Sequence, residues 1–300
     1  MKKTLITISG PTAIGKTKFS IDLANLLGCD IVSCDSRQFY KEMYIGTAVP
    51  SKNELKAIKH HCIQHKSVLD NYNIKDFEKD ALKIINNEFL TKDYVVMVGG
   101  SGMYMDAVTV GLDDFPEIND EIRKKLNLQF NKKGISFLQK KLKELDPEYY
   151  KKVDIQNPRR LIRSLEVCVS SRKPYSSFIG NNKKNHSFDI LNFGLEMNRN
   201  LLYDKINLRV DLMIKNELIN EVKGLINFKN LNALNTVGYK EVFNYLDKKT
   251  SIEYCVEEIK KNTRRYAKRQ ITWLKSKNNI VWIKSNESAL KIKTNYLDFK

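Results

Sequence analysis

The run Gly10-Pro11-Thr12-Ala13-Ile14-Gly15-Lys16-Thr17 has the GxxxxGK[ST] spacing that cradles phosphate. Its glycines let backbone N–H groups curl around phosphate oxygens at the positive end of a following helix. Lys16 adds a point charge, and the Thr17 hydroxyl is placed to ligate Mg²⁺. The reading requires a strand directly before the loop and a helix directly after it. Thr4-Leu5-Ile6-Thr7-Ile8-Ser9 is β-branched and apolar, and an amphipathic helix is expected over residues 16–27. A second candidate is Asp35, which closes the apolar run 30–34 and is followed by Ser36, Arg37 and Gln38. In an open parallel sheet the strand ends share one crevice, so this carboxylate belongs beside the phosphate loop as a general base or metal ligand. A turn or helix-cap aspartate is the plainer alternative.

The elements that must position these groups read as α/β. Strands are expected over 5–9, 30–34, 62–68 and 94–98, with helices over 16–27, 74–90 and onward from Gly102. From Glu117 to about Ser171 the pattern is helical only, with breaks at Gly134 and Pro147. A polar loop over 180–185 and a strand over 188–195 follow. The remainder is helical over 201–224, 239–246 and 252–275 before a short strand at 280–283. The expected fold is a P-loop NTPase-like parallel sheet core flanked by helices, formed by 1–112 and 187–300. An all-helical insertion domain occupies 113–186.

Composition narrows the class. The 300 residues carry 52 Lys and Arg against 35 Asp and Glu, a net +17 that suits a polyanionic partner or reflects a Lys-rich proteome. No apolar run approaches the roughly 18 residues of a transmembrane helix, and the N-terminal residues read as a first strand instead of a leader. Five cysteines without a CxxC pair fit reduced thiols in a cytoplasmic protein. The strand 94–98 ends in Gly99-Gly100-Ser101-Gly102, not in the aspartate of a nucleotide switch, and no guanine-reading NKxD is present. Arg265, Lys268, Arg269 and Thr272 share one helical flank, opposite Ile259, Tyr266 and Leu274. His60, His61 and His65 lack the partners of a metal set, and Cys34 lacks a histidine that would make it a nucleophile. Trp273 and Trp282 read as core.

The ordered set of motifs resembles the bacterial tRNA dimethylallyltransferases (tRNA isopentenyltransferases). It comprises residues 10–17, then 35–40 (Asp35-Ser36-Arg37-Gln38-Phe39-Tyr40) and Ile45-Gly46-Thr47-Ala48. Gly99-Gly100-Ser101-Gly102-Met103-Tyr104, Asn157-Pro158-Arg159-Arg160-Leu161 and Val237-Gly238-Tyr239-Lys240 follow. Thr263-Arg264-Arg265-Tyr266-Ala267-Lys268-Arg269-Gln270-Ile271-Thr272-Trp273 closes it. The resemblance implies transfer of a dimethylallyl group from dimethylallyl diphosphate to N6 of adenine 37, beside the tRNA anticodon. The phosphate loop would then hold an isoprenoid diphosphate with Mg²⁺. It further implies Asp35 as the base and Arg209 as a diphosphate ligand beside Lys16 and Thr17. Implied tRNA contacts are Asp35, Ser36, Arg37, Gln38 and Ser101; Arg159, Arg160, Leu161, Ile162 and Arg163; Asn235, Thr236, Val237, Gly238, Tyr239 and Lys240; and Lys268, Arg269, Gln270, Thr272 and Lys275. The chain departs from the family in three places. Asn157-Pro158-Arg159-Arg160 stands for Asn-Asp-Pro-Gln-Arg, Ser101 for a common Thr, and Leu208 where a second Arg is frequent. The expected partners are the anticodon stem-loop and the diphosphate donor, with no membrane and a monomeric enzyme. Competing classes are a P-loop small-molecule kinase, an adenylate isopentenyltransferase acting on free nucleotide, and an RNA-binding scaffold without turnover.

Overall fold

The computed structural model describes residues 2–180 and 184–298, so part of the expected polar loop 180–185 lies outside the described residues. In chain order the first unit contains β1 (Thr4–Ser9), α1 (Lys16–Leu27), β2 (Ile31–Ser33), α2 (Lys52–Ala57), β3 (His60–His61), α3 (Ile74–Glu88), β4 (Tyr94–Gly99) and α4 (Gly102–Thr109). A second compact unit, Val110–Asn185, holds α5 (Asp120–Lys133), α6 (Ile135–Leu145), α7 (Pro147–Tyr150) and α8 (Pro158–Ser171). The chain then returns to the first unit with β5 (Asp189–Glu196), α9 (Arg199–Lys215), α10 (Leu218–Gly224), α11 (Tyr239–Leu246), α12 (Ile252–Lys275), β6 (Ile280–Lys284) and α13 (Leu290–Ile292).

The sheet runs β3-β2-β4-β1-β5-β6, and every pairing is parallel. β1 is buried at all of its positions, as a central strand covered on both faces must be. Its side chains alternate between two cores. Leu5, Val32, Val95 and Met97 pack with α3, α4 and α10–α12, whereas Ile6, Ile8, Ile31, Val96 and Val98 pack with α1 and the C-terminal elements. The register sets Ser9 opposite Gly99 and Gly194, so the loops leaving β1 and β4 emerge at one edge, where β2 also ends.

The second unit buries its own core of Leu126, Leu138, Leu142, Leu161 and Leu165. There the Glu166 carboxylate, 1% exposed, is held by Arg123 (2.7 and 2.8 Å) and Arg163 (2.7 Å).

Three sequence expectations change. The strand foreseen over 62–68 shrinks to His60–His61, because Cys62 (φ 62°) and Gln64 (φ 47°) adopt left-handed backbone that a strand cannot absorb. Lys66 regains only an isolated bridge to Tyr40. The single helix over 201–224 is two helices, parted where Glu217 turns to φ 71°. Trp282 is not core: it lies on the edge strand β6 and is 36% exposed.

Candidate active site

β1 feeds the phosphate loop directly, and Gly15, at φ 104°, makes the left-handed step into α1 that a side chain would resist. No side chain caps α1, unlike α2, α3, α8 and α12. Its first N–H groups are therefore free to meet an anion, where the helix dipole favours negative charge. The Lys16 ammonium folds back to donate to the Pro11 carbonyl at 2.9 Å. Burial lowers its pKa from the ordinary 10.5 to about 8; Asp35 opposes the shift and Arg209 adds to it. Arg209 on α9 donates to the Thr12 hydroxyl at 3.3 Å, and burial lowers its pKa against the pull of Asp35. Two cations and one carboxylate thus share the space above the loop.

Asp35 stands just past β2 and accepts the Arg37 N–H at 3.1 Å, closing a turn on itself. Its neighbours tie that turn down. Ser36 N–H donates to the Ser101 hydroxyl at 3.2 Å, joining the ends of β2 and β4. The Arg37 guanidinium donates to the Asn232 and Ala233 carbonyls, each at 2.9 Å. The Gln38 amide donates to the Thr47 and Ala48 carbonyls at 3.2 and 3.0 Å. Arg37 and Gln38 were read as RNA contacts; the Arg37 NH1 group and the Gln38 amide N–H groups are engaged in tying down this turn, while Arg37 also lines a cavity beside Asp35.

Two cavities open onto this carboxylate. One, of about 740 Å³, is lined by the phosphate loop, Lys16, Thr17, Ser33 and Arg209, and extends to Ile45, Val49, Ile63, Leu212 and Met213. The other, of about 520 Å³, is lined by Asp35, Ser36, Arg37, Asn235, Thr236, Val237, Gly238, Lys240 and Arg269. Thr12, Asp35, Thr47, Ala48, Arg209, Met213 and Tyr266 belong to both linings and so mark where the cavities meet. The first can take an anion with an apolar tail, and the second a polar planar group. Tyr266 was read as a core residue. It is half-buried at the junction, and burial, then Asp35, push its hydroxyl up to about 12. Its place beside basic residues in the 263–273 motif was the available signal.

The sequence model of the IPP transferase family matches residues 38–277. The chain belongs to that family. Among IPP transferase relatives, the tRNA dimethylallyltransferase of Christiangramia forsetii is 55% identical over 275 residues, covering 92% of this chain and 91% of the relative. That of Flavobacterium johnsoniae is 52% identical over 279 residues, covering 91% and 90%. The crystal structure of the tRNA isopentenylpyrophosphate transferase of Bacillus halodurans superposes with a TM-score of 0.69 at 35% identity, covering 95% of this chain and 90% of that one.

The remaining expected site residues differ in how the fold presents them. Lys268, Arg269, Thr272 and Lys275 are exposed along α12, and Arg159 and Arg160 are exposed at the start of α8. Leu161, Ile162 and Tyr239 are buried, the first two in the core of the second unit and Tyr239 in that of the first, so their side chains are not available to RNA. Arg163 is engaged by Glu166. Gln270 turns inward: its amide accepts from Thr12 N–H at 2.9 Å and donates to the Gly100 carbonyl at 2.8 Å, clamping the phosphate loop to the β4 loop. It is 7% exposed, since its position on α12 faces the sheet and not the basic flank.

His61 meets Asp30 and Glu88, the only set of three metal-ligating side chains drawn together among the described residues. The Lys92 ammonium already pairs with both carboxylates and the Lys59 ammonium lies 3.7 Å from Asp30, so two cations already offset the two carboxylates. Cys34 is buried, and burial raises its thiol pKa, which leaves it inert as a nucleophile. No helix among the described residues is long and apolar enough to cross a membrane.

Proposed function

We propose that this chain transfers a dimethylallyl group from dimethylallyl diphosphate to N6 of adenine 37 in the anticodon loop of tRNA, releasing diphosphate. The observation that carries this reading is the Asp35 carboxylate in the common wall of two cavities. One ends in an uncapped helix with Lys16 and Arg209, and the other is lined by Lys240 and Arg269. The names of the relatives supply the chemical class.

Adenine N6 is a poor nucleophile because its lone pair is delocalised into the ring. Rate must therefore come from easing the departure of the diphosphate. The loop N–H groups, Lys16 and Arg209 stabilise charge that grows on the leaving oxygens, the electrostatic contribution that is usually largest. As the allylic C–O bond breaks, the fragment gains positive character that Asp35 favours. N6 then bonds to the allylic carbon, and Asp35 takes the N6 proton, general-base help worth about 10²–10⁴-fold. The Thr17 hydroxyl, the first side-chain oxygen of α1, lines the same cavity as Lys16 and Arg209 and is the oxygen that would hold a hard dication beside the diphosphate. Mg²⁺ held there would supply further positive charge to the diphosphate. To reach the second cavity adenine must leave its stack, at a cost of a few kcal/mol. The exposed cations of α12 are suited to following the RNA backbone.

The test is incubation with Mg²⁺, labelled dimethylallyl diphosphate and unmodified tRNA, with parallel reactions on AMP and ATP, followed by digestion to oligonucleotides and then nucleosides to place and identify the label. Label in N6-dimethylallyladenosine at position 37 is expected. Label on free AMP, or consumption of ATP without labelled tRNA, would replace this reading with a free-nucleotide transferase or a kinase.

A further inference from the structure

The segment 44–48 borders both cavities: Tyr44 and Ile45 face the first, Gly46 the second, and Thr47 and Ala48 both, yet Glu221 and Tyr239, which fix its first half, lie outside either lining. On α10 the Glu221 carboxylate accepts four hydrogen bonds. Oε2 takes Tyr44 N–H at 2.9 Å and Ile45 N–H at 2.6 Å; Oε1 takes Gly46 N–H at 2.9 Å and the Tyr239 hydroxyl at 2.6 Å. Three successive N–H groups converging on one carboxylate form an anion nest, and such charge-assisted bonds are about twice as strong as neutral ones. Tyr239 is fully buried, and its ring passes so close to the loop that a Cβ on Gly46 would fall 2.5 Å from Cε2. At its other end the loop is held by the Gln38 amide on the Thr47 and Ala48 carbonyls. A continuous chain of contacts therefore runs from Glu221 and Tyr239 through the loop to the turn that carries Asp35.

We infer that Glu221 and Tyr239 are positioning residues that hold residues 44–48 as the common wall of the two cavities, fixing where donor and acceptor meet beside Asp35. The inference rests on the transferase reading above. Neither side chain touches the phosphate cradle, so its effect is on alignment and not on diphosphate capture. A displacement of about 1 Å in such a wall can cost about a hundredfold in rate.

The test compares Glu221→Gln and Tyr239→Phe with the parent enzyme in transfer kinetics, in affinity for inorganic diphosphate by calorimetry, and in hydrogen exchange of the 44–46 amides. Glutamine offers one acceptor oxygen where the carboxylate offers two, so Glu221→Gln is expected to lower kcat/KM about 10- to 100-fold and raise the KM of both substrates. Tyr239→Phe removes one bond of the four, and a loss of about 3- to 10-fold is expected. In both variants the loop amides should exchange faster, and inorganic diphosphate should bind within about twofold of the parent. Parental kinetics in both variants would overturn the inference, as would loss of inorganic diphosphate binding in step with turnover. Should Glu221→Gln fail to fold, Tyr239→Phe, which keeps the ring packed on Gly46, decides alone. If the parent binds inorganic diphosphate but prenylates no tRNA, the transferase reading fails separately. The wall is then read from the affinity for dimethylallyl diphosphate relative to inorganic diphosphate, which falls in the variants if the inference holds and is unchanged if it does not.

Discussion

Lys16 should take up a proton when the donor binds. Its amine is held near pKa 8 by burial beneath the phosphate loop and by the charge of Arg209, against the pull of Asp35. A fully ionised diphosphate placed beside it favours the ammonium and returns its pKa toward the ordinary lysine value. With a free-state pKa of about 8, the amine is about one-tenth neutral at pH 7, half neutral at pH 8 and nine-tenths neutral at pH 9. Proton uptake on binding should therefore rise from about 0.1 to about 0.5 to about 0.9 per site over that range. At pH 8 and 9 the ligand does not obscure the signal, because the last ionisation of a phosphate ester lies near pH 6; at pH 7 its own release of about 0.1 proton offsets the uptake. Above pH 8 the apparent affinity should fall about tenfold per pH unit, equivalent to about 1.4 kcal/mol. Calorimetric titration of dimethylallyl diphosphate in two buffers of different ionisation enthalpy reads the uptake directly. Lys16→Met should abolish it while weakening binding at pH 7. Uptake that is absent at pH 8–9, or that persists in Lys16→Met, would refute the argument. The same shift has a folding counterpart. Because the folded amine is depressed below its unfolded value, the unfolded chain holds more protons between about pH 8 and 10.5, and this group's penalty on stability is relieved as pH rises through that window.

Three further outcomes are expected. Asp35→Ala should lose about 10²–10⁴-fold in kcat while tRNA affinity, measured by filter binding, stays within a few-fold; lost binding with intact turnover would contradict its role as base. Exchanging both Lys268 and Arg269 for Gln should flatten the salt dependence of tRNA binding by about 1.4–1.8 in log K per log salt, and an unchanged slope would remove this flank from the interface. In the second unit, replacing both Arg123 and Arg163 by Met strands the buried Glu166 carboxylate and should cost about 3 kcal/mol in chemical denaturation. Either single replacement leaves one partner and should cost about 1 kcal/mol, because both guanidiniums are substantially exposed.

What could be read in the chain before its fold was what depends on neighbours in sequence. The phosphate loop is eight consecutive residues between a strand and a helix, so its spacing implies its geometry. α1, α11 and α12 begin and end where their periodicity does. The basic flank of α12 is likewise a property of one helix. What stayed hidden depends on which surface meets which. Gln270 lies among cations in the sequence, but α12 turns that position toward Thr12 and Gly100. Tyr239 sits in a motif suited to RNA contact, yet its hydroxyl meets a carboxylate 18 positions away that periodicity would assign only to a helix surface. Leu161 and Ile162 follow two exposed arginines and turn into the core of the second unit. A motif thus marks a stretch whose residues matter together without saying which of them faces the ligand. In this chain Arg37, Gln38 and Tyr239 go into holding the wall, while Val237, Gly238 and Lys240 line the second cavity and Asp35 is the carboxylate exposed to both cavities.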